Sequence, residues 1–122
     1  MKTSVVLVVD DEEGILDSSV KYLELEGYEV HGAKNAEEAF EALERHRPPV
    51  LVLDWNLKER FTGLDVLRRA LELIPNVQCA ILTGHSERHL REWFYEAGAK
   101  TVIEKPVTVE RLREIVEALA DK

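Results

Sequence analysis

One cysteine, Cys79, stands in 122 residues. No disulfide can form within the chain, and a reducing compartment is expected. No run approaches the ~20 apolar residues of a membrane span. The N-terminus lacks the apolar core and small-residue cleavage site of a secretion signal, because charge arrives at Asp10. The expectation is a cytoplasmic protein. Positive charge is scarce, with 16 Lys and Arg against 24 Asp and Glu, a formal net charge of −8. Nucleic-acid affinity rests largely on basic side chains neutralising phosphates, so neither nucleic acid nor an anionic membrane is an expected partner. Linkers, sequence repeats and low-complexity segments are also absent, so residues 1–122 are expected to form one domain.

The remaining composition is that of an ordinary globular chain, 45% hydrophobic and 33% charged. A chain of this size buries roughly two thirds of its unfolded surface and needs no staples. Strand candidates are Ser4–Val9, Tyr28–Gly32, Val50–Asp54, Val77–Thr83 and Thr101–Glu104. The first, third and fourth are nearly continuous apolar runs, the pattern of parallel strands covered on both faces. Helical spacing lies between them: Leu16, Val20 and Leu23; Ala36, Ala39, Phe40 and Leu43; Leu64, Leu67 and Leu71; Leu90, Phe94 and Ala97; Val109, Leu112, Val116 and Leu119. Asn35 with Glu38 and Thr62 with Asp65 fit capping signatures, and Ser86 reads as the N-cap of the fourth helix. Gly27 and Gly98 suit helix ends, and Pro48, Pro49 and Pro75 stop the second and third helices. Five βα units predict a doubly wound parallel sheet with helices on both faces.

In such a sheet ligands bind beyond the C-terminal strand ends. The first strand delivers Asp10 and Asp11 to that rim, the third Asp54, the fourth Thr83 and the fifth Lys105 followed by Pro106. Three carboxylates in one hollow repel one another and resist ionisation. A hard divalent cation resolves this, since Mg²⁺ takes carboxylate and phosphate oxygens and keeps several waters. The rim therefore reads as a Mg²⁺ pocket with room for a phosphoryl group.

The set "VVDDEE", "VLDWN", "ILTGH" and "EKP", in this order and spacing, resembles the receiver domain of two-component response regulators, over the entire chain. The resemblance implies a flavodoxin-like (βα)5 fold with strand order 2-1-3-4-5. It implies Asp54 as phospho-acceptor from the phosphohistidine of a sensor kinase or phosphotransfer protein. Mg²⁺, with Mn²⁺ as the alternative, would be held by Asp11, by Asp10 mainly through water, by Asp54 and by the backbone carbonyl of Asn56. Thr83 and Lys105 would hold the phosphoryl oxygens. Asn56 and His85 would tune its lifetime, and the Lys105–Pro106 bond would be cis. Helix four, strand five and helix five would form the face that dimerises or docks an effector; Trp93, bordering the inward stripe of helix four, and Tyr95, near the edge of the contacts, are placed on that face. The chain is expected to act as a switch that gains and loses its own phosphoryl group, with no turnover of an external substrate.

Two other classes stand beside this one. An aspartyl-phosphate phosphatase of the haloacid dehalogenase kind carries D-x-D on its first strand, whereas here Asp54 lies on the third and Asn56 replaces the second acid. A phosphorylation-independent interaction module would keep the fold without needing the site. Lesser signals have plain readings. His85 and His89, four apart, resemble a zinc spacing, but the Ser86 cap puts His85 before the helix. Cys79, mid-strand, reads as a buried inert thiol. Trp55 reads equally as rim packing or as a partner contact. Three features depart from the common receiver pattern. Lys58 stands where proline is frequent, and Gly63 falls nine residues after Asp54 in place of eight. Val102 replaces the aromatic residue whose rotation accompanies activation, so Thr83 and the Gly84–His85 loop should carry the change to helix four. Lys100 and Thr101 replace an acidic pair found in charge-paired dimers.

Overall fold

The computed structural model describes residues 4–57 and 62–121; Lys58, with the extra loop residue before Gly63, falls outside them. Five strands form one parallel sheet: β1 (Val5–Val9), β2 (Glu29–Ala33), β3 (Val50–Asp54), β4 (Gln78–Thr83) and β5 (Thr101–Glu104). Their order is β2-β1-β3-β4-β5. β1 therefore pairs with both β2 and β3, and the direction of winding reverses between β1 and β3. Three strands differ by one residue from the sequence expectation: β1 begins at Val5, β2 runs Glu29–Ala33, and β4 begins at Gln78.

The helices are α1 (Glu13–Leu25), α2 (Ala36–His46), α3 (Gly63–Leu73), α4 (Arg91–Ala97) and α5 (Val109–Ala120). Because successive strand side chains point to opposite faces, each central strand feeds two cores. Val6, Val8, Val50, Val52, Ala80 and Leu82 pack under α1 and α5. Leu7, Val9, Leu51, Leu53, Cys79 and Ile81 pack under α2, α3 and α4. This double burial explains the unbroken apolar runs.

The caps of α2 and α3 form as the sequence predicts. Asn35 accepts from Glu38 N at 2.8 Å while Glu38 accepts from Lys34 N at 3.0 Å. Thr62 and Asp65 make a reciprocal box. Gly98, at φ +121°, closes α4, and a Cβ there would lie 2.7 Å from Leu71 Cδ1. Two expectations need correction. The buried stripe of α3 is Gly63, Val66, Leu67 and Ala70, with Leu64 and Leu71 only half-buried. Small residues let this helix sit close: a Cβ on Gly63 would meet Trp55 Cε3 at 2.9 Å. Ser86 does not cap the fourth helix. A 3₁₀ segment, His85–Leu90, precedes α4 with Gly84 at its N-cap. Glu87 accepts from Gly84 N at 2.9 Å, so the turn starts two residues before Ser86 and includes His85.

Candidate functional site

Strand alternation aims the chemistry. Val6 and Val8 on β1, Val50 and Val52 on β3, and Ile103 on β5 all face the α1–α5 layer. The next residue of that parity is Asp10, Asp54 and Lys105 respectively. The ends of β1, β3 and β5 thus turn charged groups to one side of the rim, the first two flanking the point where winding reverses. Thr83, by the same rule, shares the face of Ile81.

The carboxylates of Asp10, Asp11 and Asp54 converge, each offering an oxygen within 4.8 Å of the others. Asp54 is only 1% exposed and Asp10 5%; Asp11 is half-buried. Lys105 Nζ donates to Asp54 Oδ1 at 3.1 Å, and the Asn56 backbone N–H donates to the same oxygen at 3.1 Å. Burial holds the Asp10 carboxyl above its ordinary range. The Glu12 N–H, 2.9 Å away, opposes that, and the charges of Asp54 and Asp11 add to it. Burial works against the Lys105 ammonium, yet its hydrogen bond to Asp54 and the charges of Asp54, Asp10 and Glu12 leave it above the ordinary lysine value. The Lys105–Pro106 bond is cis. A cavity of about 520 Å³ adjoins the carboxylates, lined by Ile15 and Ser18 of α1 and by Pro106 and Val107.

The donor set fits a hard cation. Three oxygens from acidic groups, two of them buried and with one lysine among them, leave an excess of negative charge that Mg²⁺-type coordination offsets.

A profile of the response regulator receiver domain matches residues 6–117. The chain belongs to the receiver family of two-component response regulators. It is similar to sporulation initiation phosphotransferase F of Bacillus subtilis, 27% identical over 96% of this chain and 94% of that protein. It is 33% identical to the nitrogen assimilation regulatory protein NtrX of Azorhizobium caulinodans over 92% of this chain but 25% of that protein. A receiver domain from Clostridium thermocellum superposes with a TM-score of 0.88 at 28% identity, covering 97% of this chain and 94% of that one. The receiver is therefore flavodoxin-like, as expected. The chain spans nearly the whole of one relative and a quarter of the other.

Several features of this receiver escaped the sequence. Glu87 Oε1 accepts from the Asn56 side-chain amide at 3.2 Å as well as from Gly84 N. The Ser86 hydroxyl and then Asn56 hold its carboxyl below the usual range. His85, 76% exposed, lies 3.0 Å from Glu104 Oε2, and Arg88 donates to both oxygens of Glu104 at 2.9 and 3.2 Å. The side chains of Asn56 and His85, expected to tune the phosphoryl lifetime, are thus bound to Glu87 and Glu104. Only the Gly84–Glu87 spacing, read as a turn, would have signalled the first contact. Val102 is buried at 3%, and Arg91 donates to its carbonyl at 3.0 Å. Trp55 packs edge-on to Phe94 at 4.6 Å and to Trp93 at 5.8 Å, and so takes part in the packing at the rim.

Proposed function

We propose that this receiver takes a phosphoryl group onto Asp54 from the phosphohistidine of a sensor kinase or phosphotransfer protein and thereby switches its α4–β5–α5 face. The observation that carries this reading is the convergence of Asp10, Asp11 and Asp54 with Lys105 on Asp54. An Asp54 oxygen attacks phosphorus, the phosphorus–nitrogen bond breaks, and the freed imidazole keeps the electron pair and takes a proton. Asp11, Asp54, the Asn56 carbonyl and, mainly through water, Asp10 would hold Mg²⁺, or Mn²⁺ in its place, which would supply positive charge to the phosphoryl oxygens. Lys105 adds a second cation already in place, and Thr83 offers a hydroxyl at the adjacent strand end. The apolar cavity beside the pocket suits approach of the donor from the α1 side. Asn56 and His85 govern water access to the acyl phosphate once released from Glu87 and Glu104. The domain turns over no external substrate.

Acetyl phosphate and Mg²⁺, followed by mass spectrometry, test this. One acid-labile phosphoryl adduct, absent from Asp54→Asn, is expected. Steady release of phosphate from small esters would point to a phosphatase, and no adduct would point to a phosphorylation-independent module.

A further inference from the structure

Among the described residues a second set of metal-type ligands stands at the rim opposite Asp54. Glu29 and His31 are two apart at the start of β2, so both face the layer that buries Ala33. His46 is the last residue of α2, three after Leu43 and seven after Ala39, both buried. That spacing carries His46 along the inward stripe of the helix and down onto the edge strand. The two imidazoles stack, with centroids 3.6 Å apart and planes 9° from parallel. His31 Nε2 lies 2.9 Å from Glu29 Oε2. One ligand atom from each of the three residues lies within 4.8 Å of the others.

The chemistry differs from that of the acidic pocket. Two imidazoles with one carboxylate form the donor set of Zn²⁺ sites that leave a fourth position to water, with Zn–N bonds of about 2.0–2.1 Å. Imidazole nitrogen favours a borderline ion over Mg²⁺. The last carbonyls of α2 present the negative end of its dipole here, and Glu38 and Glu41 line the hollow that His31 and His46 share, outnumbering the cationic Arg45 there. Both rings are half-buried, so their freedom is already restricted before an ion arrives; stacked in parallel, they must turn out of the stack for one nitrogen of each to meet it.

We propose that Glu29, His31 and His46 form a binding site for a borderline divalent cation, Zn²⁺ foremost, separate from the phosphorylation pocket and clamping the edge strand β2 to the end of α2. The test is titration of Zn²⁺ into the full chain with Mg²⁺ in excess, followed by calorimetry and by NMR of the histidine rings. One equivalent is expected to bind, with the ring signals of His31 and His46 shifting together. His31→Gln and His46→Gln should each weaken binding at least as much as the roughly tenfold that follows loss of a ligand-orienting group. His85→Gln and Asp11→Asn should leave the affinity unchanged. Unshifted His31 and His46 rings in the parent protein would overturn the proposal and leave a stacked pair only, whatever the variants do. Binding that survives both His31→Gln and His46→Gln but vanishes in Asp11→Asn would overturn it equally.

Discussion

At the scale of the residue, the acidic pocket holds more negative charge than its single lysine offsets. Asp10 is buried and its carboxyl is held up by that burial first. Asp11 adds like charge at close range. Asp11→Ala should therefore abolish tight Mg²⁺ binding and phosphorylation. Without metal it should melt no lower than the parent, and higher by up to about 1 kcal/mol, the scale of one partly exposed charge pair. Scanning calorimetry with and without Mg²⁺ reads both effects, and a mutant melting well below the metal-free parent contradicts the account of strained carboxylates. Lys105→Ala leaves a cation site but removes the ammonium 3.1 Å from Asp54. Some phosphorylation should persist, while the spectral change or partner affinity that follows it should be lost; a response equal to the parent's would remove Lys105 from the coupling.

At the scale of the element, α4 is the short helix, seven residues after a 3₁₀ turn. Too short to persist on its own, it is held by tertiary contacts. Phe94 is fully buried and packs edge-on against Trp55 at 4.6 Å. Arg91 reaches the Val102 carbonyl, and Arg88 grips Glu104 at the end of β5. Val102 has no aromatic ring to rotate, and hydrogen bonds run from Asp54 to the Asn56 backbone, and from the Asn56 amide and Gly84 N to Glu87, in the segment that precedes α4. Phe94→Ala should cost about 3–5 kcal/mol, the cost of emptying a buried aromatic site. Urea unfolding monitored by circular dichroism measures this; a loss below about 1 kcal/mol would mean that the polar ties alone hold α4.

At the scale of the whole molecule, two effects are expected. Cys79 is fully buried in the centre of the sheet, and burial pushes its thiol up to about 12 from 9.0. Above pH 9.0 an unfolded chain releases this proton and the folded chain keeps it. The stability this provides is intact below 9.0 and is lost as pH rises through about 12, with a slope of up to about 1.4 kcal/mol per pH unit. Lys105, also raised, from an ordinary value of 10.5, adds loss from that pH upward, within the same window. Urea midpoints taken across that window should fall in the parent and fall less steeply in Cys79→Ala; equal slopes would show the thiol to be open to solvent. The second effect concerns association. Tyr95 is 40% exposed, with the Arg91 guanidinium 5.7 Å from its ring centre, and Trp93 is 41% exposed. Aromatic residues are enriched in interface cores. Tyr95→Glu should weaken phosphorylation-dependent association, read by analytical ultracentrifugation and pull-down with a phosphoryl mimic. Equal association in both states, with the fold intact, would take Tyr95 off that face.

The sequence by itself determined the five βα units, the parallel sheet, most caps and the five residues at the strand ends. Those features follow from periods of two and 3.6 and from local turn chemistry, which need no knowledge of neighbours. Tertiary structure alone decided the rest. Whether Leu64 or Val66 faces the sheet depends on how closely Gly63 lets α3 approach Trp55. Whether Ser86 or Gly84 starts the fourth helical segment depends on the Glu87 carboxylate, which bonds both Gly84 and an amide from another loop. The meeting of His31 and His46 depends on α2 crossing back over an edge strand, which joins residues 15 apart in sequence that no local period relates. Side chains that bond across elements answer to distances the linear chain does not contain.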